Sequence, residues 1–345
     1  MDIHASSTLQ VLVLKRTMAP LTTGARTLSS STHSRTLLLT FDAFGTLFYP
    51  NPPVPEQYAT VAHEFGLSRN IVTSQKIKEA FKDVYQAHTK LWPNYGRADV
   101  LRGRYGGPKQ WWGEVIRESF TRVLASDSSQ PLEFPSGMVD VLLDRFASDQ
   151  GYALYEDVIP FFTRMRELRS SPTRRFDRIL LGVVSNSDDR VPSVLKALGL
   201  RIGDLRADQD LSSMELPGFE QRDGPGPGKS LSSDLPDVDL DLVITSYEAG
   251  EGKPNRLIFD VAKRQARLLP RNHIPNQPPG SKMDREDDWV CIHVGDEYEK
   301  DYRAARDAGW ESYLIPRGDS NAPPAKMINS LMDLVEILDL GQKFT

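Results

Sequence analysis

The chain has 345 residues, 39% of them hydrophobic and 26% charged, and a net charge of -5. That length suits one large domain or two modest ones, and the acidic balance gives no reason to expect nucleic acid or an anionic membrane as a partner. The single cysteine, Cys291, excludes a disulfide framework and argues against a thiolate metal site, and no apolar stretch reaches the length that spans a bilayer.

The first 35 residues carry Lys15, Arg16, Arg26 and Arg35, many Ser and Thr, and one acid, Asp2. This is the composition of a mitochondrial transit peptide. Arg26-Thr27-Leu28-Ser29-Ser30-Ser31 also resembles the processing pattern of imported matrix precursors. A plain flexible leader is the other reading, so the expected location is mitochondrial or cytoplasmic, with the nucleus left open.

An apolar run then ends in a carboxylate: Leu37-Leu38-Leu39-Thr40-Phe41-Asp42, followed by Ala43-Phe44-Gly45-Thr46-Leu47. A carboxylate at the C-terminal edge of a buried strand lies where open α/β sheets bind ligands. Aspartate there is also a candidate nucleophile, since it can form an acyl-phosphate. Asn51-Pro52-Pro53-Val54-Pro55 reads as a linker. Helical spacing follows at Tyr58, Val61, Ala62 and Phe65, and at Ile77, Ala80, Phe81 and Val84. It continues at Trp112, Val115, Ile116, Ser119 and Phe120, and loosely from Met138 to Arg145. Residues 51–154 are therefore expected to form an inserted helical module, with Trp111 and Trp112 packed in its core.

From 155 onward strands and helices alternate. Helices are expected at Val158–Leu168, Val191–Leu198, Pro254–Gln265 and Tyr302–Ala308, and near Met327–Leu338. Strands are expected at Ile179–Val184, Leu242–Thr245, Trp289–Val294 and Ser312–Ile315. The pattern predicts an α/β fold with a doubly wound, mainly parallel sheet. Gly203–Pro236 and Arg271–Asp288, rich in Pro, Gly and charge, read as flexible surface inserts.

Four polar clusters fall at strand ends: Asp42 with Thr46, Ser185-Asn186, Lys253 before Pro254, and Gly295-Asp296 with Asp301. The connection rules put them on one sheet edge. Each alone has a plainer reading as a turn residue, an N-cap or a solvated charge. Together they bring three carboxylates to one place, where two unit charges 4 Å apart repel by about 4 kcal/mol at an effective dielectric of 20. A divalent cation relieves that conflict, and few hard oxygen ligands point to Mg²⁺ with a substrate phosphate as a further ligand. His293 adjoins the last cluster but reads as a packed core histidine.

The order Asp-x-x-x-Thr, Ser-Asn, Lys-Pro, Gly-Asp-x-x-x-x-Asp resembles the haloacid dehalogenase (HAD) superfamily of hydrolases from about Thr36 onward. Gly250–Phe259 and Ala304–Trp310 carry specific parts of the likeness, and Tyr95–Phe120 resembles the eukaryotic HAD-like hydrolase-domain subgroup. The resemblance implies a Rossmann-like core of 36–50 and 155–345 with a mobile helical cap. It implies Asp42 as nucleophile, Thr46 and Ser185-Asn186 as phosphoryl-binding residues, and Lys253 as the bridge to Asp42. Mg²⁺ would be held by Asp42, Asp296, Asp301 and the backbone carbonyl of Phe44. The implied substrate is a small-molecule phosphate ester or anhydride.

One position departs. Family phosphatases carry an aspartate, the general acid, two residues after the nucleophile; here that residue is Phe44. An aromatic residue there is similar to the metal-independent dehalogenases, whereas Asp296 and Asp301 are similar to the Mg²⁺-dependent phosphatases. The expectation is a phosphatase weakened at Phe44. A catalytically weak HAD-fold binder with an unassigned protein partner, and a 2-haloacid dehalogenase, are the alternatives. Of the cap residues, Tyr95, Arg97, Arg102, Arg104 and Tyr105 are candidates to face substrate or solvent.

Overall fold

The computed structural model describes residues 35–125, 134–171, 175–207, 216–219, 238–269, 288–318 and 323–338. The leader up to residue 34, most of the 203–236 insert and nearly all of the 271–288 insert lie outside the described residues. Among the described residues, the core sheet has six strands in the order β5 (Ile202–Leu205), β6 (Leu240–Thr245), β4 (Arg178–Ser185), β1 (Thr36–Phe41), β7 (Trp289–Gly295) and β8 (Glu311–Leu314). Every neighbouring pair is parallel. β1 is central and wholly buried, which is why its sequence is a continuous apolar run rather than an alternating one.

Alternation still decides which layer each side chain joins. Leu37, Leu39 and Phe41 enter one core with Phe161, Phe162 and Met165 of α6 (Val158–Ser170) and Val191 and Val194 of α7 (Val191–Ala197). Leu38 enters the other core with Ile258, Phe259 and Ala262 of α9 (Leu257–Leu268) and Ala304 and Ala305 of α10 (Ala304–Asp307). Helices thus cover both faces, and the doubly wound α/β fold expected from the pattern is what forms. The chain leaves β1 for β4 on one side and later crosses to β7 on the other, so the topological switch point lies at the end of β1.

Between β2 (Phe48–Pro50) and β3 (Tyr152–Leu154) lie α1 (Val54–Glu64), α2 (Ser74–Leu91), α3 (Pro93–Val100), α4 (Pro108–Ala125) and α5 (Met138–Arg145). β2 and β3 pair antiparallel, Phe48 opposite Leu154, and form a ribbon between this helical segment and the core. Three residues per strand are too few to show a period, so the ribbon was not visible in sequence. No described helix is long and apolar enough to cross a membrane.

Several expectations change. Residues 202–205, the last three of them expected within a flexible insert, form edge strand β5; an irregular register between Ile202 and Leu205 breaks the period-2 signal. The α9 helix begins at Leu257, not Pro254, because Asn186 captures the Lys253 N–H at 2.6 Å and Asn255 Oδ1 accepts from Leu257 N–H at 3.0 Å. Residues Tyr298–Arg303 form a π-helical turn before α10, with Asp301 buried on its inner side. The last helix, α11 (Asp333–Ile337), starts late; Asp333 Oδ2 accepts the Asn329 and Ser330 N–H groups and holds the turn that precedes it.

Candidate active site

Strand register assembles the site. Phe41 lies opposite Val183 of β4 and Val294 of β7, and Ser185 lies opposite Thr245 of β6. Asp42, Ser185 and Asp296 therefore leave the sheet at the same edge. The Asp42 N–H extends the ladder by one bond, to Val294 O at 2.9 Å. Gly45, at φ +74°, turns the chain back so closely that a Cβ would lie 2.4 Å from Asp296 Oδ2. That approach lets the Thr46 hydroxyl donate to Asp296 Oδ1 at 3.1 Å. Gly295 does the same for Asp301, whose Cγ would lie 2.2 Å from an added Cβ.

Lys253 is buried at the centre of the cluster. Its Nζ donates to Asp301 Oδ1 at 2.6 Å and to Val184 O at 2.9 Å, and lies 2.9 Å from Asp42 Oδ1. Asn186 lines the cavity, but its amide is engaged with the Lys253 backbone: Nδ2 donates to Lys253 O at 2.7 Å and Oδ1 accepts from Lys253 N. It positions the lysine. His293 is a core residue as expected, yet it belongs to the network, with Nδ1 2.9 Å from Thr40 Oγ1 and Nε2 3.3 Å from Asp301 Oδ1. Burial holds its pKa below the ordinary imidazole value. A neutral ring with Nε2–H donating to Asp301 and Nδ1 accepting from Thr40 satisfies both contacts.

Burial lifts the Asp42 pKa above the usual carboxylate range; Lys253 offsets part of this and the Asp301 charge adds to it. Burial, then Asp42 and Asp301, push Asp296 up to about 6. Burial also works against the Asp301 charge, but Lys253 and the His293 hydrogen bond hold its pKa well below the usual range. Burial opposes the Lys253 charge, and Asp301 and Asp42 outweigh it. The cluster thus carries more negative charge than one ammonium neutralises.

The residues fit a divalent cation. Asp42, Asp296 and Asp301 each offer an oxygen within 4.8 Å of the others, and Asp42 Oδ1 is buried with the Lys253 ammonium 2.9 Å away. Both Asp301 oxygens already accept bonds, Oδ2 from Glu297 N–H at 2.8 Å. Asp42 and Asp296 are therefore the freer ligands. The donors are all hard oxygens, as Mg²⁺ requires.

Above this floor lies a cavity of about 470 Å³. Its roof comes from Tyr85, Tyr95, Trp111 and Trp112 of the helical segment. Both indoles reach the cavity; Trp111 is otherwise buried in that segment's core, and Trp112 donates its indole N–H to Asp188 Oδ2 at 2.7 Å. Asp188 also binds the buried Arg190 guanidinium through Nε at 2.8 Å and Nη2 at 2.9 Å. The polar run Ser187-Asp188-Asp189-Arg190 directly after a strand was the signal for this pair, which the sequence reading missed. Of the five candidate cap residues, Tyr95 alone lines the cavity. Arg97 donates to Tyr247 O at 2.7 Å, Tyr105 donates to Glu114, and Arg102 and Arg104 are exposed. Asn94 and Tyr95 have left-handed backbones, at φ 49° and 59°. The Asn94 amide holds that turn against the core, donating to Ser246 O at 2.8 Å and Gly250 O at 3.1 Å.

Arg317 was not visible in sequence, since it lies in a segment without a motif. Its guanidinium donates twice to Thr46 O, at 3.2 and 2.8 Å, pairs with Asp157, and lies 4.2 Å from the Tyr155 ring centre. It braces the turn that carries Thr46. Arg317→Ala is expected to cost about 3 kcal/mol, by breaking a largely buried pair, and to lower kcat about 10- to 100-fold by loosening Thr46. Arg317→Lys should not restore either, since one ammonium cannot make the forked contacts. Denaturation and steady-state kinetics on both variants check this; full rescue by lysine would contradict it.

Comparison with known proteins agrees with the geometry. The chain is 29% identical over 292 residues to an uncharacterized protein of Saccharomyces cerevisiae, covering 83% of this chain and 74% of that one. It is 28% identical to an uncharacterized hydrolase of Schizosaccharomyces pombe, covering 80% and 88%. It is 26% identical to the human haloacid dehalogenase-like hydrolase domain-containing protein 3, covering 88% and 93%. Residues 37–309 match the family model described as haloacid dehalogenase-like hydrolase, and the chain belongs to that family.

Proposed function

We propose that the protein is a Mg²⁺-dependent phosphatase that works through an aspartyl-phosphate on Asp42, beneath a helical cap formed by residues 51–154. The observation that carries this reading is the Asp42 carboxylate: a buried oxygen 2.9 Å from a buried ammonium, in a group of three carboxylates. In the first step Asp42 attacks phosphorus and the bond to the leaving oxygen breaks. Lys253 favours the ionised form of Asp42 against its burial and offsets charge on the transferring group, as phosphoryl transfer demands. The Thr46 and Ser185 hydroxyls donate to its oxygens, and Asn186 keeps Lys253 in place. A Mg²⁺ held by Asp42, Asp296, Asp301 and the Phe44 carbonyl would supply further charge neutralisation. Water then cleaves the acyl-phosphate, returning Asp42 and releasing phosphate.

Phe44 stands where an acid would protonate the leaving oxygen. Its ring packs against Phe48 at 4.6 Å and Tyr152 at 5.7 Å between centroids. General acid help is worth about 10²–10⁴-fold, most where the leaving group is poor. An aryl phosphate is therefore expected to turn over about 10²-fold or more faster than an alkyl phosphate. EDTA should abolish both reactions and Mg²⁺ restore them. Equal efficiency on the two esters would overturn the role given to Phe44. The same Phe44 observation favours a second reading, a HAD-fold binder without turnover, which a broad phosphate panel with no Mg²⁺-dependent release would support. Halide release from a 2-haloacid that EDTA leaves intact would instead mark a dehalogenase.

A further inference from the structure

Behind Phe44 lies a second cavity, of about 210 Å³, inside the helical segment. Its walls are Val54 and Tyr58 of α1, Phe81 of α2, Ile116 of α4, and Leu142 and Leu143 of α5. Protein interiors seldom keep voids larger than a water molecule, so space of this size among aliphatic and aromatic side chains calls for an occupant. The chamber is not isolated. Phe44, Tyr85, Trp112 and Arg190 line both cavities, and Phe44 is two residues from Asp42. A group that leaves phosphorus on the Phe44 side thus passes directly into an apolar chamber. Among the described residues, the one charged side chain at that mouth, Arg190, is already neutralised by Asp188 and covered by the Trp112 ring 4.7 Å away. The mouth therefore offers an apolar group aromatic faces and no unmatched charge.

We propose that this chamber seats the leaving group, and that the substrate class is a phosphate monoester of an apolar alcohol or phenol about the size of one substituted ring. This rests on the phosphatase reading and adds the shape and polarity of the ester. The size follows from the volume: an apolar cavity of about 150 Å³ holds benzene, so this one holds a ring with a small substituent. In this arrangement Phe44 is a specificity residue that walls the phosphoryl site from the apolar one, in a position where an acid would bring charge into the chamber.

The test separates apolar recognition from leaving-group acidity by pairing benzyl phosphate with ethyl phosphate, whose alcohols are of similar acidity. With Mg²⁺, kcat/KM for the benzyl ester should be about 30-fold higher or more, from burial of the ring, and the difference should sit mainly in KM. Leu143→Trp, which fills the chamber, should remove that preference, bringing kcat/KM for the benzyl ester down to that for ethyl phosphate. Should that variant not fold, Leu142→Ala enlarges the chamber and should shift the preference toward 4-tert-butylbenzyl phosphate. Equal kcat/KM for the two esters, or a preference that neither variant moves, overturns the proposal. The chamber can also be read without turnover, by calorimetric titration with benzylphosphonate and methylphosphonate. If neither ester turns over and benzylphosphonate binds more tightly, the chamber stands and the phosphatase reading falls; equal binding overturns the chamber itself.

Discussion

Replacing Asp42 by Asn is expected to lower Mg²⁺-dependent turnover of an aryl phosphate by about 10⁴-fold or more, the scale set by removing a covalent nucleophile. The substitution keeps the shape of the side chain and its backbone bond to Val294, and removes one charge. With all four groups ionised, Asp42, Asp296, Asp301 and Lys253 sum to -2; Asn at position 42 makes the sum -1. Burial already disfavours the Asp42 charge, so losing it relieves repulsion from Asp296 and Asp301. Stability without metal should therefore stay level or rise while activity disappears. Thermal melts in EDTA beside a phosphate-release assay read both halves. Residual turnover within tenfold of the wild type would remove Asp42 from the nucleophile's role; a collapse in melting temperature would mean that its part is structural.

Lys253→Met should fail in the opposite way, losing stability and activity together. Its ammonium holds three groups at once: the Asp301 carboxylate, the Val184 carbonyl and the Asp42 carboxylate. Without it, buried carboxylates face each other uncompensated. Breaking a buried pair by removing one partner costs about 3–5 kcal/mol, and losing an electrostatic stabiliser at the reacting centre costs about 10²-fold or more in kcat. The contrast between the two variants is the sharper measurement, because the residues touch. Adding Asp42→Asn to Lys253→Met should recover part of the lost stability by removing one of the stranded charges, and none of the activity. A double variant as unstable as the sum of the singles would contradict the charge balance drawn here.

The geometry also explains why a metal and a lysine both belong here. Lys253 is committed mainly to Asp301, its shorter contact, and this is what keeps that carboxylate ionised. Asp42 and Asp296 are left with raised pKa values and the freer oxygens. A site with this imbalance draws cations to its two less-neutralised carboxylates, beside the oxygen proposed to attack phosphorus.

Much of this was legible in the order of residues, for a physical reason. The buried strands β1, β4, β6 and β7 are covered on both faces and so are written as apolar runs. Their C-terminal ends are marked by polar residues at the last strand position, Ser185 and Thr245, or just after it, Asp42 and Asp296. Parallel connection rules then put those ends on one edge. Hence the α/β class, the strand ends and the carboxylate cluster could be read from the chain alone. What the sequence did not carry is whatever depends on two distant segments meeting. β2 and β3 exist only because residues 48–50 meet 152–154. Arg317 has no local pattern, and its meaning is the Thr46 carbonyl it holds. Asn186 lines the cavity, and nothing in its own stretch of chain shows that its amide holds the Lys253 backbone. Phe44 read as a missing acid. Only packing among Phe48, Tyr152 and the helical segment gives that ring a position between two cavities, because a cavity is a property of the surfaces around it and of no single stretch of chain.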